Sequence, residues 1–107
     1  MQYAAPLDEI RFLLRHIAPV ERLAALPRYA HADAELVDSV IEAAAKIAAE
    51  VASPLRASGD EEGARLENGV VVLPDGFREA YGQLRDGGWI GLSMPRDWGG
   101  QGMPQLV

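Results

Sequence analysis

The sequence predicts a mainly α-helical fold, a small bundle of up-and-down helices with a short hairpin or extended excursion at 66–73. Three observations support this prediction. Apolar residues recur at helical spacing in 6–18, 33–55 and 75–86. Proline and glycine stand at the ends of these segments, where they stop helices. The run Val70-Val71-Val72 is the strongest β-branched stretch, and it directly follows the turn signal Asn68-Gly69.

The first predicted helix spans 6–18. Pro6 suits a first helical position, because the N–H that proline lacks has no partner there. Pro19 closes the helix, and residues 20–26 can add one or two turns before Pro27. The apolar face of this helix consists of Leu7, Ile10, Leu14 and Ile17.

The second predicted helix, 33–55, has the strongest periodicity. Asp33 is a suitable N-cap, and Glu42 and Lys46 have the spacing of a favourable ion pair. We expect Pro54 to end the helix or kink its last turn, and the polar residues 57–65 to form a loop. The apolar face consists of Leu36, Val37, Val40, Ile41, Ala44, Ile47, Ala48, Val51 and Leu55.

The third predicted helix spans 75–86 and follows the hairpin. Its apolar stripe is Phe77, Ala80, Tyr81 and Leu84, and Gly87 or Gly88 provides the C-cap.

Composition excludes several classes of function. The chain has 107 residues, a formal charge of -6 and no cysteine, which argues against nucleic-acid binding, disulfides and thiolate metal sites. The start shows no secretory signal and no segment is long and apolar enough to span a membrane, so we expect a cytoplasmic location. His16 and His31 are too far apart to suggest a metal site and are interpreted as solvated or helix-terminal. Asp60-Glu61-Glu62 is interpreted as a solvated loop.

The segment 88–104, here called the glycine loop, is the most unusual part of the sequence. Three glycines in four residues, Gly99, Gly100 and Gly102, indicate positive φ angles or a close approach of other atoms to the backbone. One interpretation, a phosphate cradle, lacks the Gly-Lys-Ser/Thr ending and a third glycine at the required spacing. A second is a tight turn that lets Trp89 and Trp98 pack under a helix. A third is the wall of a ligand pocket.

No nucleophile–base pair, carboxylate pair or metal-ligand set stands out in the sequence. The chain nevertheless resembles the acyl-CoA dehydrogenase family, specifically a longer bacterial branch of it. Two small departures are Trp98 where tyrosine is usual and Ser53 where alanine is usual. The matching segments are, in chain order, 3–14, 53–55, 59–63, 66–71, 74–81 and the glycine loop.

The resemblance implies an FAD-dependent oxidoreductase of fatty acid metabolism that oxidises an acyl-CoA and passes electrons to electron-transfer flavoprotein. It implies an N-terminal extension at 1–32 and part of a helical N-terminal domain at 33–107. No residue here matches the catalytic base or the flavin-binding motifs of the family, so we expect the isolated chain to bind no FAD and to be inactive. We also expect it to form a homo-oligomer, because the apolar face of the helix at 33–55 would be unevenly covered without the further domains of such an enzyme. A scaffold or acyl-pocket-wall role is carried over to Trp89, Met94, Trp98, Gly99, Gly100, Gln101 and Gly102. The alternative is a stand-alone helical interaction or dimerisation module without catalysis.

Overall fold

Helix α1 (Leu7–Phe12) begins directly after Pro6 and continues as a π-helical turn, Leu13–Ile17. The structure is a computed structural model, and it describes residues 2–107. The Ala18 N–H donates to the Leu13 carbonyl at 2.8 Å, five residues back, and ends the helix before Pro19. The short helix α2 (Glu21–Ala24) follows, and then a 3-10 turn, Pro27–Tyr29. These bounds confirm the predicted helix and the extra turn after it.

Helix α3 (Ala34–Ile47) is capped as predicted, because the Asp33 carboxylate accepts a hydrogen bond from the Leu36 N–H at 2.8 Å. The helical path does not end at Pro54, however. It widens into a π-helical turn (Ala48–Ala52), tightens into a 3-10 turn (Ser53–Leu55) and continues as α4 (Arg56–Glu61). Of the two outcomes predicted at Pro54, the helix does not end there, and its last turns are distorted instead. The predicted loop at 57–65 was wrong over 57–61.

Two physical reasons explain this difference. A change of helical pitch accommodates a proline that has no N–H to donate. Packing then stabilises the polar segment as a helix: a Cβ atom at Gly59 would lie 2.7 Å from Cζ of Phe77. The Phe77 ring thus rests on the α4 backbone, a tertiary contact that outweighs the weak helix propensity of 57–61.

The predicted hairpin is present. Strand β1 (Arg65–Glu67) pairs antiparallel with β2 (Val70–Val72), and Leu66 lies opposite Val71. Asn68 has a φ of 51° and Gly69 a φ of 78°. Two positive φ angles are what a two-residue hairpin turn requires, so the turn residues set the register.

Helix α5 (Phe77–Asp86) confirms the third predicted helix. The Trp89 N–H donates to the Leu84 carbonyl at 3.0 Å, and the Gly88 N–H donates to the Arg85 carbonyl at 3.1 Å. This pair of bonds is a Schellman motif, which needs a left-handed residue after the helix. Gly88, at a φ of 79°, is that residue.

A small hydrophobic core joins the beginning and the end of the chain. It includes residues from the predicted extension at 1–32 as well as from 33–107. The molecule is flat, 54 × 35 × 17 Å, with a radius of gyration of 16.9 Å, against about 13 Å for a compact domain of this length. The buried core residues are Leu14, Val20, Ala32, Val37, Ile41 and Met103.

Much apolar surface is exposed as a result of this flat shape. In the hairpin, Leu66 is 74% exposed, and Val70 and Val71 are also exposed. Within residues 2–107, no helix is long and apolar enough to cross a membrane.

Candidate functional site

The glycine loop folds back on itself through backbone hydrogen bonds. The Gly91 carbonyl accepts from the Gln101 N–H at 3.0 Å, and the Met94 carbonyl accepts from the Gly102 N–H at 2.9 Å. A Cβ at Gly100 would overlap the Met94 carbonyl. This close approach explains why glycine, which has no Cβ, stands at position 100.

Two other glycines of the loop have positive φ angles, 84° at Gly99 and 65° at Gly102. Both structural reasons inferred from the glycine density, positive φ and close approach, are therefore present in one turn.

A groove lies between the glycine loop and helix α3; we call it the α3 groove. Its volume is about 270 Å³, and it is open to solvent on one side. Of the seven predicted site residues, Trp89 and Gln101 line it. The complete lining is His31, Leu36, Ser39, Val40, Ala43, Gly87, Trp89, Leu92, Arg96, Gln101 and Met103.

The other predicted side chains lie elsewhere. Met94 is 53% exposed and Trp98 is 85% exposed, so Trp98 does not pack under a helix as one interpretation supposed. Gly99, Gly100 and Gly102 shape the turn itself. The structure thus divides the predicted set into groove wall, turn and outward-facing apolar side chains.

Sequence reasoning missed the α3 side of this groove. Leu36, Val40 and Ala43 are spaced at i, i+4 and i+7, so they form one row along α3. Leu36 and Val40 were predicted as apolar-face residues, but nothing in the sequence indicated that the glycine loop lies over them. Arg96 was missed because no partner for it is recognisable in the sequence.

His31 lies in the short turn between Pro27–Tyr29 and α3 and is half-buried, so it is less solvated than one of the two predicted alternatives supposed. Its Nε2 atom is buried without a hydrogen-bond partner, which costs about 1–3 kcal/mol when such an atom stays unsatisfied. Its Cε1 atom would lie 3.6 Å from a Cβ at Gly102. Within residues 2–107, no three histidine, aspartate or glutamate residues are grouped so that they could hold a metal ion.

An ion-pair cluster outside the α3 groove joins α1 to α3. The Arg11 guanidinium bonds the Asp38 carboxylate and also contacts the Glu42 carboxylate. The hydrogen bond from Arg11 lowers the pKa of Asp38, and the bonds to Asp38 and Glu42 raise the pKa of Arg11. Glu42 therefore bonds a residue of a neighbouring helix, whereas the sequence predicted an ion pair with Lys46.

The α3 groove by itself does not suit a flavin dinucleotide. A ligand pocket buries roughly 70–90% of its ligand, whereas the α3 groove is open and about 270 Å³ in volume. No chemical step is therefore assigned to FAD in this part of the molecule.

Comparison with known proteins finds a similarity to a dehydrogenase. No protein-family model matches the chain. All 107 residues align at 40% identity with a curated protein, and the chain spans 18% of that protein's length. The relative is the 3-methylmercaptopropionyl-CoA dehydrogenase of Ruegeria pomeroyi. The predicted resemblance to acyl-CoA dehydrogenases is therefore confirmed: the chain corresponds, over its whole length, to part of such an enzyme.

Proposed function

We propose that this chain is the N-terminal part of a larger FAD-dependent acyl-CoA dehydrogenase. The observation that carries the proposal is the 40% identity across all 107 residues. In this proposal residues 1–32 are an extension and 33–107 are part of the helical domain. The whole enzyme is a cytoplasmic homo-oligomer that passes electrons from an acyl-CoA to electron-transfer flavoprotein.

Within that enzyme, we assign the wall of the acyl pocket to the α3 groove. Leu36, Val40 and Leu92 supply an apolar surface, while Ser39 and Gln101 add polar groups at the same groove. Ligand sites commonly combine a mostly apolar lining with a few polar groups. The open side would be closed by another domain of the enzyme, so this chain supplies one wall.

The outward-facing residues have a scaffold role in this proposal. Trp98 is 85% exposed and Met94 is 53% exposed, although both are large and apolar. Exposed apolar surface of this kind commonly marks a contact with another protein surface. We assign these two side chains to packing against the next domain, with Gly99, Gly100 and Gly102 setting the turn that presents them.

The catalytic base and the flavin site are assigned to other parts of the enzyme. The chain contributes shape and water exclusion, which position a substrate for chemistry carried out elsewhere.

A groove-filling substitution in the complete enzyme tests the wall role. Ala43 lines the α3 groove, while Ala64 is exposed and lies outside it. We expect Ala43→Leu to lower kcat/KM about tenfold for the longest acyl-CoA accepted, since small steric changes in apolar pockets have effects of roughly 10–200-fold. The shortest substrate should be affected less. Equal behaviour of Ala43→Leu and the control Ala64→Leu on all substrates would reject the wall role.

The alternative, a stand-alone interaction or dimerisation module, is favoured by one observation: the hairpin and much of the helical surface expose large apolar side chains. The coding sequence beyond codon 107 discriminates between the two. A reading frame that continues for several hundred codons supports the dehydrogenase, and a stop codon at that position supports the module.

A further inference from the structure

A second groove lies on the other side of His31, between the turn at 27–31 and residues 93–97; we call it the arginine groove. It has a volume of about 530 Å³ and brings Arg28 and Arg96 to the same cleft, with Asp97 also lining it. The chain as a whole carries a charge of -6. The groove therefore has two positive side chains and one negative side chain, although the molecule as a whole is negatively charged.

Both arginines are presented by short, stiff turns. Arg28 follows Pro27 in the 3-10 turn Pro27–Tyr29, and Arg96 follows Pro95 at the start of the 3-10 turn Arg96–Trp98. Proline fixes its own φ angle. The proline before each arginine therefore restricts the backbone that carries the guanidinium.

Each arginine side chain is exposed and lies near one neighbouring group. The Arg28 guanidinium lies 5.5 Å from the centroid of the Tyr29 ring, a cation–π contact. The Arg96 side chain lies along Gly102, where a Cβ would be 3.4 Å from its Cγ and 3.6 Å from its Nε. Because glycine leaves that space free, Arg96 can lie against the loop.

Neither guanidinium is neutralised by a carboxylate within the described residues. There Arg11, Arg65 and Arg85 form the ion pairs, and Arg28 and Arg96 form none. The Ser93 hydroxyl, which also lines the groove, accepts a hydrogen bond from Gln105 at 3.3 Å, which leaves its own O–H available to donate.

We infer that the arginine groove binds a phosphate group between Arg28 and Arg96, with the Ser93 hydroxyl as a further donor. Guanidinium groups match phosphate oxygens in geometry and charge. Asp97 opposes such an anion, so its charge weakens binding. This inference does not depend on the proposed enzyme function. Inorganic phosphate and the phosphate end of a nucleotide share the chemistry, and the experiment distinguishes them.

The test is a titration of the ¹⁵N-labelled 107-residue chain with inorganic phosphate at constant ionic strength, followed by NMR. We expect saturable shifts at Arg28, Ser93 and Arg96. Arg28→Gln and Arg96→Gln should each weaken binding about tenfold, since hydrogen bonds to charged groups are the strong ones. Asp97→Asn should tighten binding several-fold. The matched control is Arg78→Gln, an exposed arginine of α5.

The outcomes distinguish a nucleotide from free phosphate as the ligand, and they include results that would overturn the inference. Adenosine 3′,5′-bisphosphate binding more than tenfold tighter than inorganic phosphate assigns the site to a nucleotide; equal binding assigns it to free phosphate. Unchanged core signals from Ile41 and Met103 verify that each variant is folded. Shifts that do not saturate, or equal weakening by Arg78→Gln, would overturn the inference. So would weaker binding in Asp97→Asn.

Discussion

Arg11 bonds both carboxylate oxygens of Asp38, from Nε to Oδ1 at 2.6 Å and from Nη2 to Oδ2 at 3.1 Å. Two parallel bonds between a guanidinium and a carboxylate fix orientation as well as distance. This pair joins α1 to α3 across 27 positions of sequence, and Glu42 adds a third contact. It therefore holds the N-terminal helix against the helix that forms one side of the α3 groove.

Asp38→Asn should lower the midpoint of thermal unfolding at pH 7 by a few degrees. The folded-state pKa of Asp38 is lowered by Arg11, so its contribution to stability is present above the unfolded pKa of about 3.9. That contribution is lost as the pH falls through the folded pKa. The difference between wild type and variant should therefore shrink below about pH 4.

The control for this prediction is Glu62→Gln, an exposed carboxylate after α4. This substitution should leave the midpoint of thermal unfolding unchanged both at pH 7 and below about pH 4. A difference between Asp38→Asn and wild type that stays constant from pH 7 to pH 3 would show that the ion pair is not its cause.

Gly100→Ala should destabilise the chain by about 1–3 kcal/mol, the usual cost of forcing atoms into filled space. The added Cβ overlaps the Met94 carbonyl, so the backbone of the glycine loop must move. Gly82→Ala is the matched control: it lies inside α5 with nothing within 4 Å of the new Cβ. That substitution should stabilise by up to about 1 kcal/mol. Urea unfolding measures both, and equal effects would contradict the crowding argument.

The isolated chain should be colourless and inactive. The proposed function places the flavin site and the catalytic base elsewhere in the enzyme, and catalysis needs them positioned together. Gel filtration with added FAD and an acceptor-dye assay with an acyl-CoA check this. Flavin that co-elutes with the chain, or dye reduction above background, would contradict it.

The isolated chain should also self-associate through the exposed face of α3 near its C-terminal end. Val37 and Ile41, from the predicted apolar face, are buried in the core, whereas Ala44 is exposed and Ala48 is half-buried. Small side chains let two helices approach closely, and a symmetric dimer is the commonest assembly. Light scattering should give a dimer mass that falls to the monomer mass in Ala44→Asp but not in Ala64→Asp. A monomer mass for the unmutated chain at high concentration would contradict the prediction.

Local signals in the sequence predicted several elements well. Asp33 capped α3, and Asn68-Gly69 formed the hairpin turn, because each acts on neighbouring backbone. Pro54 was predicted to end the helix or kink its last turn, and the helix changes pitch around it. The segment that follows was wrongly predicted as a loop, because Phe77 packs on it. That contact joins residues far apart in sequence, which periodicity does not report.

The candidate site was predictable only in part, for the same reason. Glycine density indicated the tight turn, and two of the predicted residues, Trp89 and Gln101, line one groove. The partners of the loop come from α3 and from His31, which no spacing rule connects to it. Trp98 resembles a core residue by type, but its exposure depends on the flat shape of the whole molecule.

The most direct test of the central claim is a chimera. In the Ruegeria pomeroyi 3-methylmercaptopropionyl-CoA dehydrogenase, the segment that aligns with this chain is replaced by these 107 residues, and dehydrogenase activity is measured beside a deletion of the same segment. We expect the chimera to retain activity within about tenfold of the parent enzyme, a loss of about 1.4 kcal/mol in transition-state stabilisation, and the deletion to be inactive. A folded, flavin-containing chimera as inactive as the deletion would contradict the claim that this chain is part of an acyl-CoA dehydrogenase.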